Sequence, residues 1–160
     1  IVFSCVNNTA YRISDDLTGL LNRKAFSKEL DEAIKAKSEQ ELADYIVVYM
    51  DVVKFKIIND IFGSNKGDEL LIHISGVISD TIRERDGLGC RVGSDRFLMF
   101  TRCKEHERKE FISEFLDRAS DFDLCFEIVC NAGITAIPDK STSSEALIDY
   151  AIMPPSGSYK

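Results

Sequence analysis

The sequence has no tryptophan, only two histidines, and no uninterrupted apolar run long enough to span a bilayer. His73 and His106 lie far apart in the chain without ligand spacing, which argues against a metal site built on histidine. Basic residues are also few, with 20 Lys and Arg against 27 Asp and Glu. The resulting net charge of −7 disfavours a protein that binds nucleic-acid polymers non-specifically.

Cysteine is present, but not in a pattern typical of metal sites or disulfide frameworks. The five cysteines include no Cys-x-x-Cys pair, and their number is odd. We therefore predict buried, reduced thiols in a cytosolic protein. Because the chain begins at Ile1 rather than at a methionine, we expect a fragment whose residues 1–13 form a linker helix from an upstream sensory domain. The missing part could carry a membrane anchor.

The apolar share of 44% is enough to form the core of a single domain of 160 residues. Residues 45–50 form an apolar, β-branched run that predicts a buried central strand. Two short apolar runs around the turn residues GSDR predict a hairpin. The predicted elements are helix 23–37, strand 45–50, helix 54–62, loop 63–68, helix 69–85, hairpin 88–92 with 97–100, helix 104–119, a strand or strand pair within 122–135, and helix 143–151.

This order of elements predicts an α+β fold, a ferredoxin-like antiparallel sheet of four strands with flanking helices packed on one face. In that topology the first strand and the second hairpin strand are antiparallel neighbours. Asp51, at the end of the first strand, and Asp95, at the hairpin tip, then lie at the same sheet edge. Two carboxylates there could hold a hard cation such as Mg²⁺ against nucleotide phosphates. Alternatively, Asp51 caps a helix and Asp95 stabilises a turn.

Several motifs resemble those of one family, and they occur in that family's order. Residues 15–23, DDLTGLLNR, resemble the opening D-x-L-T-G-L-x-N-R of GGDEF domains, the diguanylate cyclases of bacterial cyclic di-GMP signalling. Residues 51–60, DVVKFKIIND, resemble the family's D-x-D-x-F-K-x-x-N-D, and residues 91–97, RVGSDRF, stand where the family has R-x-G-G-D/E-E-F. Further matches at residues 62–63, 67–68 and 131–134 support a GGDEF-like domain over residues 14–160.

The resemblance implies a reaction and a metal site. Members of the family join two GTP molecules into cyclic di-GMP, each of two facing domains holding one GTP. Carried over by position, Asp51 and Asp95 correspond to the metal-binding side chains, and the carbonyl of Val52 to a backbone ligand. Mg²⁺ or Mn²⁺ is the cofactor expected if a nucleotide is bound. GTP, cyclic di-GMP and a second copy of the domain are the expected partners.

The resemblance also implies a nucleotide-binding surface. Asn59 and Asp68 match the positions that read guanine, and an amide with a carboxylate can pair with a guanine edge. Phosphate contacts are expected from the turn that contains Phe55 and Lys56, and Gly93 belongs to the hairpin tip beneath the nucleotide.

The departures from the family pattern fall in its catalytic part. Ser94 replaces a glycine, and Arg96 replaces the glutamate associated with metal binding and with activation of the attacking hydroxyl. A guanidinium can neither bind Mg²⁺ nor act as a base near neutral pH. Val53 replaces a usual acid, and the C-terminal signature is lost, so the C-terminus is truncated or divergent relative to the family. We therefore expect a degenerate cyclase with a regulatory or nucleotide-binding role. The alternatives are an active cyclase that tolerates these changes and a dimerisation module that binds no ligand.

A second ligand site is implied by Arg83 and Asp86, which resemble the family's R-x-x-D product-inhibition motif. Six residues separate Asp86 from Gly93, one more than is usual in the family. The alternative is that Arg83 and Arg85 only complement the C-terminus of a helix.

Overall fold

The computed structural model describes residues 13–152 of the chain. Its central element is strand β1 (Tyr45–Val52), in which six of the eight residues are buried. β1 pairs antiparallel on one side with β3 (Arg96–Arg102) and on the other with β4 (Cys130–Ala136), while β2 (Leu88–Gly93) extends the sheet beyond β3. The strand order is β2-β3-β1-β4. The predicted antiparallel α+β fold with flanking helices is therefore confirmed.

Helices cover both faces of this sheet. They are α1 (Arg23–Ala36), α2 (Glu39–Leu42), α3 (Phe55–Phe62), α4 (Ser64–Arg85), α5 (Arg108–Ser120), which follows a 3-10 turn at Glu105–Glu107, and α6 (Ser144–Ile152). Ile46 and Val48 belong to a core cluster with α4 and α5, whereas Val47 belongs to a second cluster with α1 and α6. The expectation that helices pack on one face is wrong, because alternate residues of β1 are apolar on both faces and each face has to be covered.

Two predicted boundaries are corrected by the structure. Helix α4 begins at Ser64, so the predicted loop 63–68 shrinks to a break at Gly63, whose φ of 87° lets the chain turn within one residue. The predicted strand within 122–135 begins only at Cys130. Phe122 and Leu124 are anchored by packing against the core, so their alternating pattern reflects side-chain burial without strand pairing.

The cysteines follow the prediction in part. Cys90, Cys103 and Cys130 are buried and free, and burial raises the pKa of the Cys90 thiol to about 12. Cys125 is also free but exposed, because it lies in the irregular segment that precedes β4. The predicted linker helix at residues 1–13 falls almost entirely outside the described residues. Within residues 13–152, none of the helices combines the length and apolar character needed to cross a membrane.

The connection from β1 to α3 positions the candidate site. Only Val53 and Lys54 separate strand from helix, and Lys54 adopts a left-handed conformation with φ of 57°. The backbone N–H of Val53 donates to the carbonyl of Val129 at 2.8 Å, which ties this turn to the segment entering β4. The end of β1, the start of α3 and the β2–β3 hairpin tip therefore lie at the same edge of the sheet.

Candidate functional site

The hairpin tip contacts the end of β1 directly. Met50 pairs with Phe97 in the register of β1 and β3, which leaves Asp95 beside the last residues of β1. Oδ2 of Asp95 accepts a hydrogen bond from the backbone N–H of Val52 at 3.0 Å. Val52 is 3% exposed, so Asp95 satisfies a buried donor. The structure thus brings together Asp95 and Val52, as the predicted topology requires.

Asp51 is held by two side chains that the sequence analysis did not single out. The hydroxyl of Tyr49 donates to Oδ2 of Asp51 at 3.1 Å, and the side-chain amide of Asn131 donates to Oδ1 at 3.3 Å. Tyr49 lies two residues before Asp51, on the same face of β1, and Asn131 is the cross-strand partner of Asp51 on β4. Burial, and then the negative charge of Asp51, raise the pKa of Tyr49, so its hydroxyl stays protonated and continues to donate.

The hairpin tip itself is a tight turn whose geometry Ser94 accommodates. Ser94 has φ of 50° and Gly93 has φ of 146°, and the strand register shifts between Arg91 and Gly93. The Ser94 hydroxyl donates to Oδ1 of Asp95 at 3.2 Å. A non-glycine residue in the left-handed region costs about 1–2 kcal/mol, and a local hydrogen bond offsets part of that cost.

Arg91 fastens this tip to the loop that precedes α1. Its Nε donates to the carbonyl of Ser94 at 2.9 Å, and its guanidinium also pairs with Asp15 at 3.1 Å. Burial raises the pKa of Asp15, but hydrogen bonds from Thr18 and the charge of Arg91 together bring it below its usual value. Asp15 therefore stays ionised, and Arg91 joins the two sequence motifs physically.

A second group of residues lies where α3 meets α4. Oδ1 of Asn59 is buried and has no hydrogen-bond partner among the described residues. Gly67, on α4, packs so closely that an added Cβ would overlap this oxygen and lie 3.2 Å from Cζ of Phe55. Asp68 follows Gly67 and is exposed, as is Lys56 in the first turn of α3. Asn59 and Gly67 therefore meet, and the asparagine presents an unsatisfied acceptor.

The two acids implied as metal ligands, Asp51 and Asp95, both form hydrogen bonds within the chain. All four carboxylate oxygens of Asp51 and Asp95 already accept hydrogen bonds from this chain. Arg96 stands where the family has a glutamate, and its positive charge acts to lower the pKa of Tyr49 against the larger effects that raise it. Across residues 13–152, no group of three or more His, Cys, Asp or Glu side chains could hold a metal ion. At this edge Asp51 and Asp95 could supply two carboxylate ligands, and nucleotide phosphates and water would have to complete the coordination of Mg²⁺.

Arg83 and Asp86 have separate partners. The guanidinium of Arg83 pairs with Asp80 at 3.4 Å, one turn earlier on α4. Asp86 ends α4 with φ of 53° and accepts a hydrogen bond from the Tyr45 hydroxyl at 2.7 Å and one from Lys37 at 3.4 Å. The Tyr45 hydrogen bond, opposed by burial and aided by the charge of Lys37, lowers the pKa of Asp86. In this structure Asp86 therefore has a structural role at the end of α4.

Comparison with known proteins matches the whole described region to one family. The family model for "Diguanylate cyclase, GGDEF domain" matches residues 12–153. Diguanylate cyclase DgcP of Pseudomonas aeruginosa is 32% identical over 145 residues, which are 87% of this chain and 21% of that protein. Cyclic di-GMP phosphodiesterase PdeR of Escherichia coli is 32% identical over 146 residues, 86% of this chain and 21% of that protein. The chain thus spans about a fifth of the length of these relatives.

Solved structures show the same fold. The coiled coil and GGDEF domain of DgcB from Caulobacter crescentus, in complex with c-di-GMP, superposes with a TM-score of 0.77 at 24% identity, covering 94% of this chain and 81% of that one. Diguanylate cyclase SiaD of Pseudomonas aeruginosa, in complex with its activator SiaC, gives a TM-score of 0.74 at 21% identity, covering 94% of this chain and 60% of that one. At these identities the likeness establishes the fold alone.

Proposed function

The chain belongs to the GGDEF domain family of cyclic di-GMP signalling, and from that premise we propose that it binds guanine nucleotide as a regulatory domain with little or no cyclase activity. Binding is assigned to the α3–α4 side of the site. We assign the proposed loss of cyclase activity to the altered hairpin tip.

The observation that carries the proposal is the buried, unpartnered Oδ1 of Asn59. A buried acceptor without a donor costs about 1–3 kcal/mol, so a ligand N–H placed there recovers that free energy. Guanine presents adjacent N–H donors along one edge, and Asp68 offers a second acceptor beside Gly67. Adenine lacks that adjacent pair of donors, so the arrangement favours guanine.

Gly67 supports the same assignment by its missing side chain. A Cβ at this position would collide with Asn59 and crowd Phe55, so glycine is what allows the Asn59 amide to lie against helix α4. The exposed Lys56 and the backbone of the turn before α3 are the groups we assign to the phosphates. The family normally uses a divalent metal. Mg²⁺ or Mn²⁺ would accompany the nucleotide here as the counter-ion of its own phosphates.

Loss of turnover is supported by the hairpin tip. Phosphoryl transfer needs metal or cationic groups aimed at the phosphate and a group that takes the proton of the attacking hydroxyl. Arg96 stays protonated near neutral pH and cannot take that proton. Asp51 and Asp95 remain at this edge, but neither occupies the position of the replaced glutamate.

The proposal includes the wider setting of the domain. Cyclic di-GMP is a second candidate ligand, and a homodimer and an upstream sensory domain are candidate partners. Arg83 with Asp86 stays a candidate inhibitory site, for which cyclic di-GMP must compete with the contacts of Tyr45 and Lys37. The free thiols and the nucleotide ligand are consistent with a cytosolic domain, alone or attached to a membrane-anchored protein.

Three measurements test the proposal: calorimetric titration with GTP, calorimetric titration with cyclic di-GMP, and chromatography of a GTP mixture after incubation with Mg²⁺ or Mn²⁺. Saturable GTP binding without cyclic di-GMP supports it. Product formed at about 1 s⁻¹ or faster, a rate typical of enzymes, would establish the cyclase alternative instead. Absence of binding for both GTP and cyclic di-GMP would leave the dimerisation module.

A further inference from the structure

A groove runs between helix α5 and the irregular residues that lead into β4. Its larger part has a volume of about 810 Å³. A second part of about 380 Å³ shares four lining residues with it: Asp117, Ser120, Glu127 and Ile128. Together the two parts follow α5 from Lys109 to Ser120, roughly 17 Å along the helix axis. That length corresponds to about five residues of an extended chain.

The wall opposite α5 carries large apolar side chains that the domain leaves uncovered. Phe126 is 39% exposed and Val129 is 47% exposed. The ring of Phe126 packs against Phe62 at the end of α3, with 5.3 Å between the ring centroids. This contact holds the ring in place without covering it. A partner that covers Phe126 and Val129 therefore gains apolar burial at side chains that are already positioned.

The backbone of the same wall is also unpaired. Residues 123–128 form no backbone hydrogen bond with the rest of the chain within residues 13–152. Pairing resumes at Val129, whose carbonyl accepts from the N–H of Val53 at 2.8 Å. β4, which follows, is the last strand on its side of the sheet. Unpaired peptide groups beside a sheet edge are those with which an added peptide pairs, so this surface favours a polypeptide over a lipid or a small ion.

The charge of the groove indicates the kind of polypeptide. Three acids line its larger part and take part in no ion pair among the described residues: Asp117, Asp121 and Glu127. Arg118, the basic residue of that part, already pairs with Asp80 at 3.7 Å. Lys109 lies at the opposite end, in the smaller part. A segment that brings Lys or Arg side chains therefore complements the groove.

We propose that this groove docks a basic, amphipathic peptide segment of a partner protein. Apolar side chains of the segment cover Phe126 and Val129, and its cationic side chains pair with the three acids. A second copy of the domain fits less well, because a symmetric contact brings the same acids together and each copy carries a net charge of −7. The docking does not depend on nucleotide binding at α3 and α4.

Fluorescence anisotropy on the full chain tests the proposal with a labelled model peptide. The probe has about seven residues of alternating leucine and lysine, capped at both ends, and the matched probe carries glutamate in place of lysine. We expect saturable binding of the lysine peptide, and binding of the glutamate peptide weaker by about tenfold or more. No saturable binding of the lysine peptide up to about 1 mM, or equal binding of the two peptides, would overturn the proposal.

Charge variants show whether the peptide binds in the groove. Asp121→Asn with Glu127→Gln removes two charges from the groove. Glu29→Gln with Glu32→Gln removes two charges from exposed positions of α1, which covers the other face of the sheet. We expect the first pair to weaken binding of the lysine peptide about fivefold, as for two exposed ion pairs, and the second pair to leave it unchanged. Equal losses in both would show a response to overall charge and contradict docking at this groove.

Apolar variants test the other half of the contact. Phe126→Ser and Val129→Ser each remove one exposed side chain of the groove wall, and Tyr150→Ser removes an exposed aromatic ring from α6. Among variants that keep a cooperative urea transition, we expect about fivefold weaker binding for the groove variants and none for Tyr150→Ser. Wild-type affinity in both groove variants would overturn the proposal.

Sedimentation of the chain alone addresses the remaining occupant. We expect its oligomeric state to be the same in the wild type and in Phe126→Ser. A dimer that Phe126→Ser dissociates would assign the groove to a second copy and overturn docking of a basic segment.

Discussion

The α3–α4 side of the site contains a buried acceptor without a hydrogen-bond donor, whereas the two carboxylates at the sheet edge accept hydrogen bonds from within the chain. Oδ1 of Asn59 is buried without a partner among the described residues, and it lies where a side chain on Gly67 would be. Asp51 and Asp95 instead have each oxygen paired with a donor of this chain. A buried acceptor without a donor favours a ligand that brings one, while a satisfied acceptor already contributes to folding.

The largest expected effect on this contrast comes from adding a side chain at Gly67. A Cβ in Gly67→Ala overlaps the Asn59 amide, so the side chain or helix α4 has to shift. We expect GTP affinity to fall below detection and the free energy of unfolding to fall by about 1–3 kcal/mol, the usual cost of overpacking. Calorimetry and urea unfolding measure the two effects.

Gly76→Ala is the matched control for that change. Gly76 lies on the same helix, and an added Cβ meets nothing within 4 Å. Replacing a helical glycine by alanine at an unhindered position stabilises a protein by about 0.4–1 kcal/mol. If Gly67→Ala behaves like Gly76→Ala in both measurements, the close contact with Asn59 has no consequence and the assignment of the pocket is wrong.

On the sheet-edge side, we expect Asp95→Ala to destabilise the fold. It leaves the buried N–H of Val52 without its acceptor, which costs about 1–3 kcal/mol. Asp60→Ala, at an exposed position on α3, removes the same charge and should change stability by less than about 0.5 kcal/mol. Equal unfolding midpoints in urea for the two variants would contradict a structural role for Asp95.

Asn59→Ala sharpens the contrast in the opposite direction. Because Oδ1 of Asn59 has no partner in the free domain, its removal should not lower the free energy of unfolding. GTP affinity should fall about tenfold, the equivalent of about 1.4 kcal/mol for one lost ligand hydrogen bond. Asn65→Ala, at an exposed position of α4, should leave both quantities unchanged. A loss of stability without a loss of affinity would make Asn59 a structural residue.

The smallest expected effect is a pH dependence from Tyr49. Its folded-state pKa is raised, so its contribution to stability is fully present below the unfolded pKa of about 10 and is lost as the pH rises above that value. Tyr49→Phe should lower the free energy of unfolding at pH 7 by about 0.5–1.5 kcal/mol. The difference between wild type and variant should narrow above pH 10 in urea unfolding. A difference that is constant from pH 7 to 11 would contradict the hydrogen bond to Asp51.

Much of the architecture follows from local patterns in the sequence. The apolar run of β1 and the GSDR turn predict the central strand and the hairpin, and antiparallel pairing then places Asp51 and Asp95 at one edge. The two-sided covering of the sheet was missed, although the apolar residues on both faces of β1 require it. Residues 122–129 resemble a strand in sequence because Phe122, Leu124 and Ile128 alternate with more exposed residues and pack against the core, although β4 begins only at Cys130.

The hydrogen bonds that Asp51 accepts could be predicted only in part from the sequence. Tyr49 could have been found from its two-residue spacing to Asp51, since both side chains leave the same face of β1. Asn131 required the register of β4 against β1, which the sequence leaves open because the start of β4 lies within an irregular apolar segment. The unsatisfied state of Asn59 depends on the packing of two helices and has no signature in the sequence.

One measurement tests the contrast most directly: calorimetric titration of GTP into Asn59→Ala and Asp51→Asn under identical conditions with Mg²⁺. We predict that Asn59→Ala loses about tenfold or more in affinity, while Asp51→Asn stays within about threefold of the wild type. The reverse result, with binding lost in Asp51→Asn and retained in Asn59→Ala, would place the ligand on a metal at the sheet edge and contradict the account.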